Sequence, residues 1–283
     1  MPPPHQNVET AGTGKRAEDA PRSTADASLP LPPLELRKLV GPTDPSAFDN
    51  PSGELIFQEF APAHYDAVFE FGCGCGRIPR QLLQQRVRPR HYLGIDLHRG
   101  MIEWCQKNLA PVDEGFRFEH HDVYNSIFNP DASEQAAMFP VSESLYSLVI
   151  AHSVFTHLVE WQAAHYLREV GRILAPGGFV NSTWFLFDKR DFPMLGEENH
   201  ALYARFDDPT AAVAHDADWV RRTAAAAGLK VVGTTRNEIR GHQWRVLLTH
   251  QGSELPEVPV TSAPEDERPL AAAAVDPRRG NAC

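Results

Sequence analysis

The stretch Glu70-Phe71-Gly72-Cys73-Gly74-Cys75-Gly76-Arg77 decides how the rest of this 283-residue chain is read. It follows the apolar run Ala67-Val68-Phe69 and precedes a segment, Arg77 to Arg86, with helical spacing. A glycine turn between strand and helix lets a ligand approach the backbone closely. The N–H groups opening the next helix favour an anionic ligand group. The glycines are spaced G-x-G-x-G, whereas a dinucleotide pyrophosphate is met by G-x-G-x-x-G. A carboxylate, Glu70, also stands two positions ahead of the first glycine. It repels a pyrophosphate and attracts a ligand with a cationic amino group.

Outward from the turn, strands and helices alternate. His91 to Asp96 reads as a second strand, and Met101, Ile102, Trp104, Cys105 and Leu109 mark the following helix. Asp96 falls about 20 residues beyond the turn, where a carboxylate can accept hydrogen bonds from both ribose hydroxyls. Phe116 to His120 alternates as a third strand that ends in His121-Asp122-Val123. Asp122 there can hold the exocyclic amine of a purine or simply cap the strand. Successive strand residues face opposite ways, so His120, His121 and Asp122 do not converge on one ion and no metal is expected. Leu145 to Ala151 is apolar enough for a strand buried on both faces. Trp161 to Leu174 is helical and stops at Pro176-Gly177-Gly178, and Phe179 to Phe187 makes the fifth strand. Asp216 to Ala227 forms another helix, ending at Gly228. Leu229 to Thr235 and Trp244 to Thr249 close the chain as two strands joined near Gly241. This alternation predicts an α/β fold, Rossmann-like and doubly wound. Its mainly parallel, seven-stranded sheet has one antiparallel strand near the edge.

Residues 1–45, with Pro2-Pro3-Pro4 and Leu31-Pro32-Pro33, and residues 251–283, with Glu265-Asp266-Glu267 and Ala271 to Ala274, read as disordered tails. The domain is expected over 46–250. A net charge of −10 disfavours binding to nucleic-acid phosphates or anionic lipid. No apolar stretch is long enough to span a bilayer, and no secretory signal opens the chain. The four cysteines, Cys73, Cys75, Cys105 and Cys283, make neither a disulfide framework nor a zinc spacing, which fits a cytoplasmic protein.

The glycine turn, Asp96 and Asp122, in that order, resemble the class I S-adenosylmethionine-dependent methyltransferases. Within that superfamily the chain is similar to bacterial domains with the phrase Ser153-Val154-Phe155-Thr156-His157-Leu158 after the fourth strand. Arg172-Ile173-Leu174-Ala175-Pro176-Gly177-Gly178 matches the phrase that usually comes next in such domains. The resemblance covers roughly residues 50 to 250. It implies that Glu70, Gly72, Gly74 and Gly76, with Cys73 among them, surround the methionine part of S-adenosylmethionine. It further implies that Asp96 holds the ribose beside Leu97, that Asp122 and Val123 bind the adenine edge, and that Ala151 and His152 lie near the methyl donor. Ser147 departs from the Asp usual before the fourth strand's apolar core. Gly241 to Trp244 departs from a Gln-Asp pair common in the final hairpin.

The expected reaction is methyl transfer to a small-molecule acceptor, most simply a hydroxyl oxygen of a sugar or similar metabolite; the sugar rests on analogy with related domains. An alcohol acceptor needs a general base, and the candidates are His157 and then His152. Specificity is expected in the aperiodic stretch 188–215, read as a substrate lid, and in a helix around Ile56 to Phe60. Phe187, Phe192, Tyr203 and Phe206 form either an apolar wall or that stretch's own core. The alternatives are a non-catalytic cofactor-binding or partner-binding module on the same fold, and a nicotinamide-dependent oxidoreductase, which the glycine spacing and Glu70 oppose.

Overall fold

Apolar runs in the middle of the chain pair into one sheet. The structure is a computed structural model that describes residues 29–236, 242–257 and 260. Five parallel strands come first: β1 (Ala67–Phe71), β2 (His91–Asp96), β3 (Phe116–His120), β4 (Tyr146–Ala151) and β5 (Leu174–Phe187). They lie in the order β3-β2-β1-β4-β5. Helices α2 (Arg77–Gln84), α3 (Arg99–Asn108) and α4 (Glu160–Ile173) connect them, α1 (Leu34–Val40) preceding them all. Further on come β6 (Ala201–Tyr203), β7 (Val213–Asp216), α5 (Ala217–Ala226), β8 (Leu229–Arg236) and β9 (Trp244–His250). Strand β9 runs antiparallel to both β5 and β8. It is the antiparallel strand expected near the edge; β6, antiparallel to β7, is a second.

Among the described residues the sheet has nine strands rather than the expected seven. The additional pair, β6 and β7, lies in the stretch read as aperiodic. These strands are three and four residues long, too short to show a period, and Pro209 stands between them. Strand β4 releases β5 after Ser182, and β7 pairs parallel with Phe185–Phe187. Strand β5 also starts five residues earlier than expected. Its register with β4 shifts so that Tyr146 faces Leu174 and Leu148 faces Phe179, leaving Pro176-Gly177-Gly178 as a bulge.

Strand alternation divides the interior. Phe69, Val149, Ala151, Val180, Trp184, Val246 and Leu248 point to the α4 and α5 side, where Ala163, Tyr166, Leu167, Val170 and Ile173 of α4 form a stripe at helical spacing. Val68, Tyr92, Leu148, Ile150, Phe179 and Leu247 point to the other side, against Ile78, Leu82 and Leu83 of α2 and Ile102 and Cys105 of α3. Ser147 is structural: its hydroxyl accepts from Ala67 N–H at 3.0 Å and donates toward the His64 and Ala67 carbonyls, stitching β4 to the start of β1.

Residues 29–45, expected as tail, are instead packed on the domain. Helix α1 and a 3-10 turn at Pro45–Phe48 place Leu31, Leu36 and Val40 over Phe48, Cys75 and Met101. Arg80 of α2, 5% exposed, holds this strap through the carbonyls of Leu29, Pro30 and Phe48 and through Asp49. Polar composition hid the segment because its anchor lies some fifty residues away. The helix expected around Ile56 to Phe60 is a series of turns, with a 3-10 helix following at Pro62–Tyr65. Residues 1–28, the turn near Gly241 and 261–283 lie outside the described residues. Among the described residues no helix is long and apolar enough to cross a membrane.

Candidate functional site

The glycine turn hooks onto β2: Gly72 and Cys73 both donate to the Ile95 carbonyl, at 2.8 and 3.0 Å. Gly72 and Gly74 have φ of +82° and +55°. A Cβ on Gly72 falls 2.4 Å from Val154, and one on Gly74 falls 2.7 Å from Val40. Both positions therefore demand glycine for conformation and for space. Gly76 opens α2 as its N-cap. The Cys73 and Cys105 thiols both point at the Gly74 carbonyl; with Cys75 they are free and buried. Burial pushes all three thiols up, Cys75 to about 12, so they pack rather than react.

Glu70 and Asp96 share one face of the sheet, because Glu70 registers with Gly94 and Asp96 lies two residues on. Asp96, half-buried, receives Gly74 N–H and His98 N–H, each at 2.8 Å. Burial raises its carboxyl and those two donors oppose the rise. Glu70 is 2% exposed, and its carboxyl accepts from the Tyr92 hydroxyl. Burial pushes it up to about 8, the Tyr92 bond and Arg77 working against this and Asp96 with it. Without a cation beside it, Glu70 is mostly protonated at pH 7.

The other expected residues separate. Leu97 is half-buried, and its carbonyl takes His120 Nε2–H at 2.9 Å. Asp122 is exposed at the end of β3, held by Asn129 Nδ2 at 3.0 Å, and that bond lowers its carboxyl. Val123 is buried. His121 turns to the opposite side from His120, onto the Tyr166 hydroxyl at 2.9 Å. Ala151 is buried in the α4-side core, so only its backbone reaches the carboxylate face.

Beyond β4, His152 returns to the carboxylate face, its ring 5.3 Å from Phe57 and edge-on to it. Burial, with Arg77 adding to it, lowers its imidazole to about 4. Asn181 lies close enough to oppose that shift, yet no bond of normal geometry reaches His152 Nε2. Ser153 adopts φ of +57°, uncommon for a side chain with a Cβ. Its N–H bonds Thr183 Oγ1 at 2.7 Å and its hydroxyl meets the Gln243 amide, holding the bend that aims His152. His157 donates from Nδ1 to the Thr210 carbonyl at 3.0 Å. His215 of β7, fully buried, donates from Nε2 to the Phe155 and Leu158 carbonyls and so fixes the turn bearing His157. Asn181, Thr183, Gln243 and His215 carried no motif in the sequence; only the register between β4, β5, β7 and β9 gathers them.

Residues 188–215 are tied down along their length. Besides the bonds of His157 and His215, Glu160 takes His200 N–H and the Tyr203 hydroxyl. Phe187 and Phe192 pack edge to face while Phe206 is 94% exposed, so the four aromatics form no single wall. An open depression of about 860 Å³ lies between this insert and α5, lined by Lys189, His200, Asp216 and Arg221 among others. It contains none of the glycine-turn or post-β4 residues and is not the site described here.

Residues 69–180 match the family model described as a methyltransferase domain. Over that stretch, from β1 into β5, the chain is similar to a methyltransferase domain. A methyltransferase of Leishmania major has the same fold at a TM-score of 0.52 and 15% identity, over 77% of this chain and 78% of that one. A methyltransferase of Methanosarcina mazei aligns at 0.45 and 16% identity, over 65% and 91%. The [4+2]-cyclase SpnF aligns at 0.40 and 14% identity, over 60% of this chain; the chain spans about half, 52%, of that protein.

Proposed function

We propose that this protein transfers a methyl group from S-adenosylmethionine to a hydroxyl oxygen of a small molecule, with His152 as the proton acceptor. The observation carrying this is the placement of Glu70 and Asp96 on one sheet face under a turn whose positions 72 and 74 admit only glycine. An ionised carboxylate offers about four acceptor sites. Asp96 uses two on Gly74 and His98, and the remaining two match a ribose diol. Glu70 supplies the counter-charge for an ammonium group. Asp122 and Val123 border the adenine, and Gly72, Cys73 and Gly74 the methionine chain. The cofactor supplies an electrophilic methyl carbon on a sulfonium.

His152 ranks ahead of His157 here, the reverse of the order expected from the sequence. His152 stands at the end of β4 on the carboxylate face, whereas His157 clamps the insert through Thr210. Residues 188–215 then bound the acceptor side. The net charge of −10 favours a small molecule over a nucleic acid, and three buried free thiols fit a reducing cytoplasm.

Calorimetric titration with S-adenosylmethionine tests the reading. The wild type is expected to bind saturably in the micromolar range and Asp96→Asn at least tenfold more weakly. Equal binding by both, or none by the wild type, overturns it.

A further inference from the structure

The carboxylate face ends in a group of buried polar atoms that the protein leaves without partners. Asn181 is fully buried, and neither its amide nitrogen nor its carbonyl oxygen is bonded. His152 Nε2 and Arg245 Nε are in the same condition. Strand register brings them to one side: Ile150 faces Asn181 and Thr183 faces Arg245, with His152 two residues beyond Ile150. A buried carboxamide without partners costs stability, and leucine fits the middle of a buried strand better. Asn181 is therefore expensive to keep there unless a ligand uses it.

The cover over these atoms is aromatic. Phe57 stands against His152, and Phe60 stands edge-on to Phe57 with ring centres 6.3 Å apart. Tyr65 fixes this segment from beneath, its hydroxyl accepting from Phe57 N–H at 2.9 Å and donating to Phe57 O at 3.1 Å. On the outside, Glu59 pairs with Arg245 at 2.5 Å.

We infer that Asn181 and His152 form the floor of the methyl-acceptor subsite and that its ligand is an aromatic hydroxyl, covered by Phe57. This rests on the methyltransferase reading and adds the acceptor's class. A hydroxyl is one donor and two acceptors, which an amide N–H and an imidazole lone pair complement. The ring it is attached to meets Phe57 edge to face. In the transfer the phenolic oxygen bonds the methyl carbon and the carbon–sulfur bond breaks with its pair on sulfur. The hydroxyl proton passes to His152 Nε2 and from there to water. The products are an aryl methyl ether, S-adenosylhomocysteine and one proton.

The test is calorimetric binding of catechol, and of methyl α-D-glucoside for comparison, to the protein saturated with S-adenosylhomocysteine. Catechol is expected to bind and the glucoside not. Asn181→Leu is expected to bind S-adenosylhomocysteine within twofold of wild type, melt at a higher temperature and bind catechol at least tenfold more weakly. Phe57→Ala is expected to weaken catechol as well. Catechol binding unchanged in Asn181→Leu, a lower melting temperature for that variant, or preference for the glucoside overturns the inference while leaving the cofactor reading intact. Loss of S-adenosylhomocysteine binding by the wild type overturns both.

Discussion

Replacing Glu70 by glutamine is expected to stabilise the free protein and weaken its hold on the cofactor. Burial raises the Glu70 carboxyl from 4.5 to about 8. A group raised on folding contributes stability that is complete below its unfolded pKa and lost as pH rises through the folded value. Between those limits wild type must take up a proton to fold. At pH 7 the cost, over about 2.5 pH units at about 1.36 kcal/mol each, is about 3 kcal/mol. Glutamine is spared it and retains an oxygen for the Tyr92 hydroxyl. The apo Glu70→Gln protein should melt roughly 5–10 °C higher at pH 7. Binding an ammonium group reverses the preference, since it draws the proton off Glu70. Wild-type affinity for S-adenosylmethionine should therefore rise about tenfold from pH 6 to pH 7, below the ligand's own amine titration. The variant should bind more weakly with a flat profile. Thermal melts and calorimetry in buffers of different ionisation enthalpy read both effects. A lower melting temperature for the variant, or no proton release on binding to wild type, refutes the reasoning.

Other perturbations test other parts of the molecule. Arg80→Met leaves the carbonyls of Leu29, Pro30 and Phe48 without their donor, at a cost of about 3 kcal/mol. Hydrogen exchange should rise over 34–40 while α4 stays protected. Gly74→Ala must force a Cβ into Val40 at a φ of +55°. It should cost about 1–2 kcal/mol in urea melts and tenfold or more in cofactor affinity. Burial lowers His121 and His215 to about 4 from 6.5. Bases depressed on folding give stability above their unfolded pKa and lose it as pH falls toward the folded one. Each should remove about 2 kcal/mol between pH 7 and pH 5, read as a smaller acid-induced fall in denaturant midpoint for His121→Asn and for His215→Asn than for wild type.

The sheet frame was legible because the parallel strands are apolar runs or, in Phe116 to His120, a strict alternation, and the connecting helices carry stripes at helical spacing. The glycine turn was legible for a similar reason, its constraint lying within eight consecutive residues. What escaped was set at long range. Helix α1 exists because Arg80 and Cys75 await it, and no local pattern in 29–45 reports that. Strands β6 and β7 are stabilised by the overhanging end of β5 and by Glu160, not by their own sequence. Asn181 looks like an ordinary polar residue in Val180-Asn181-Ser182 until the register with β4 and β9 fixes its neighbours. His157 stood out by its motif, while the more enclosed His152 depends on the bend at Ser153.

Strand β5 belongs to three pairings at once, with β4 through Ser182, with β9 from Val180 to Trp184 and with β7 from Phe185. A continuous backbone of that kind transmits displacement like a stiff rod. The insert it carries therefore cannot swing aside without dragging Thr183, and with it the bend that aims His152. On the proposed function, ligand entry falls to the opposite flank, where Ile56 and Phe57 are fastened by the side chains of Gln85 and Tyr65 instead of by a shared strand.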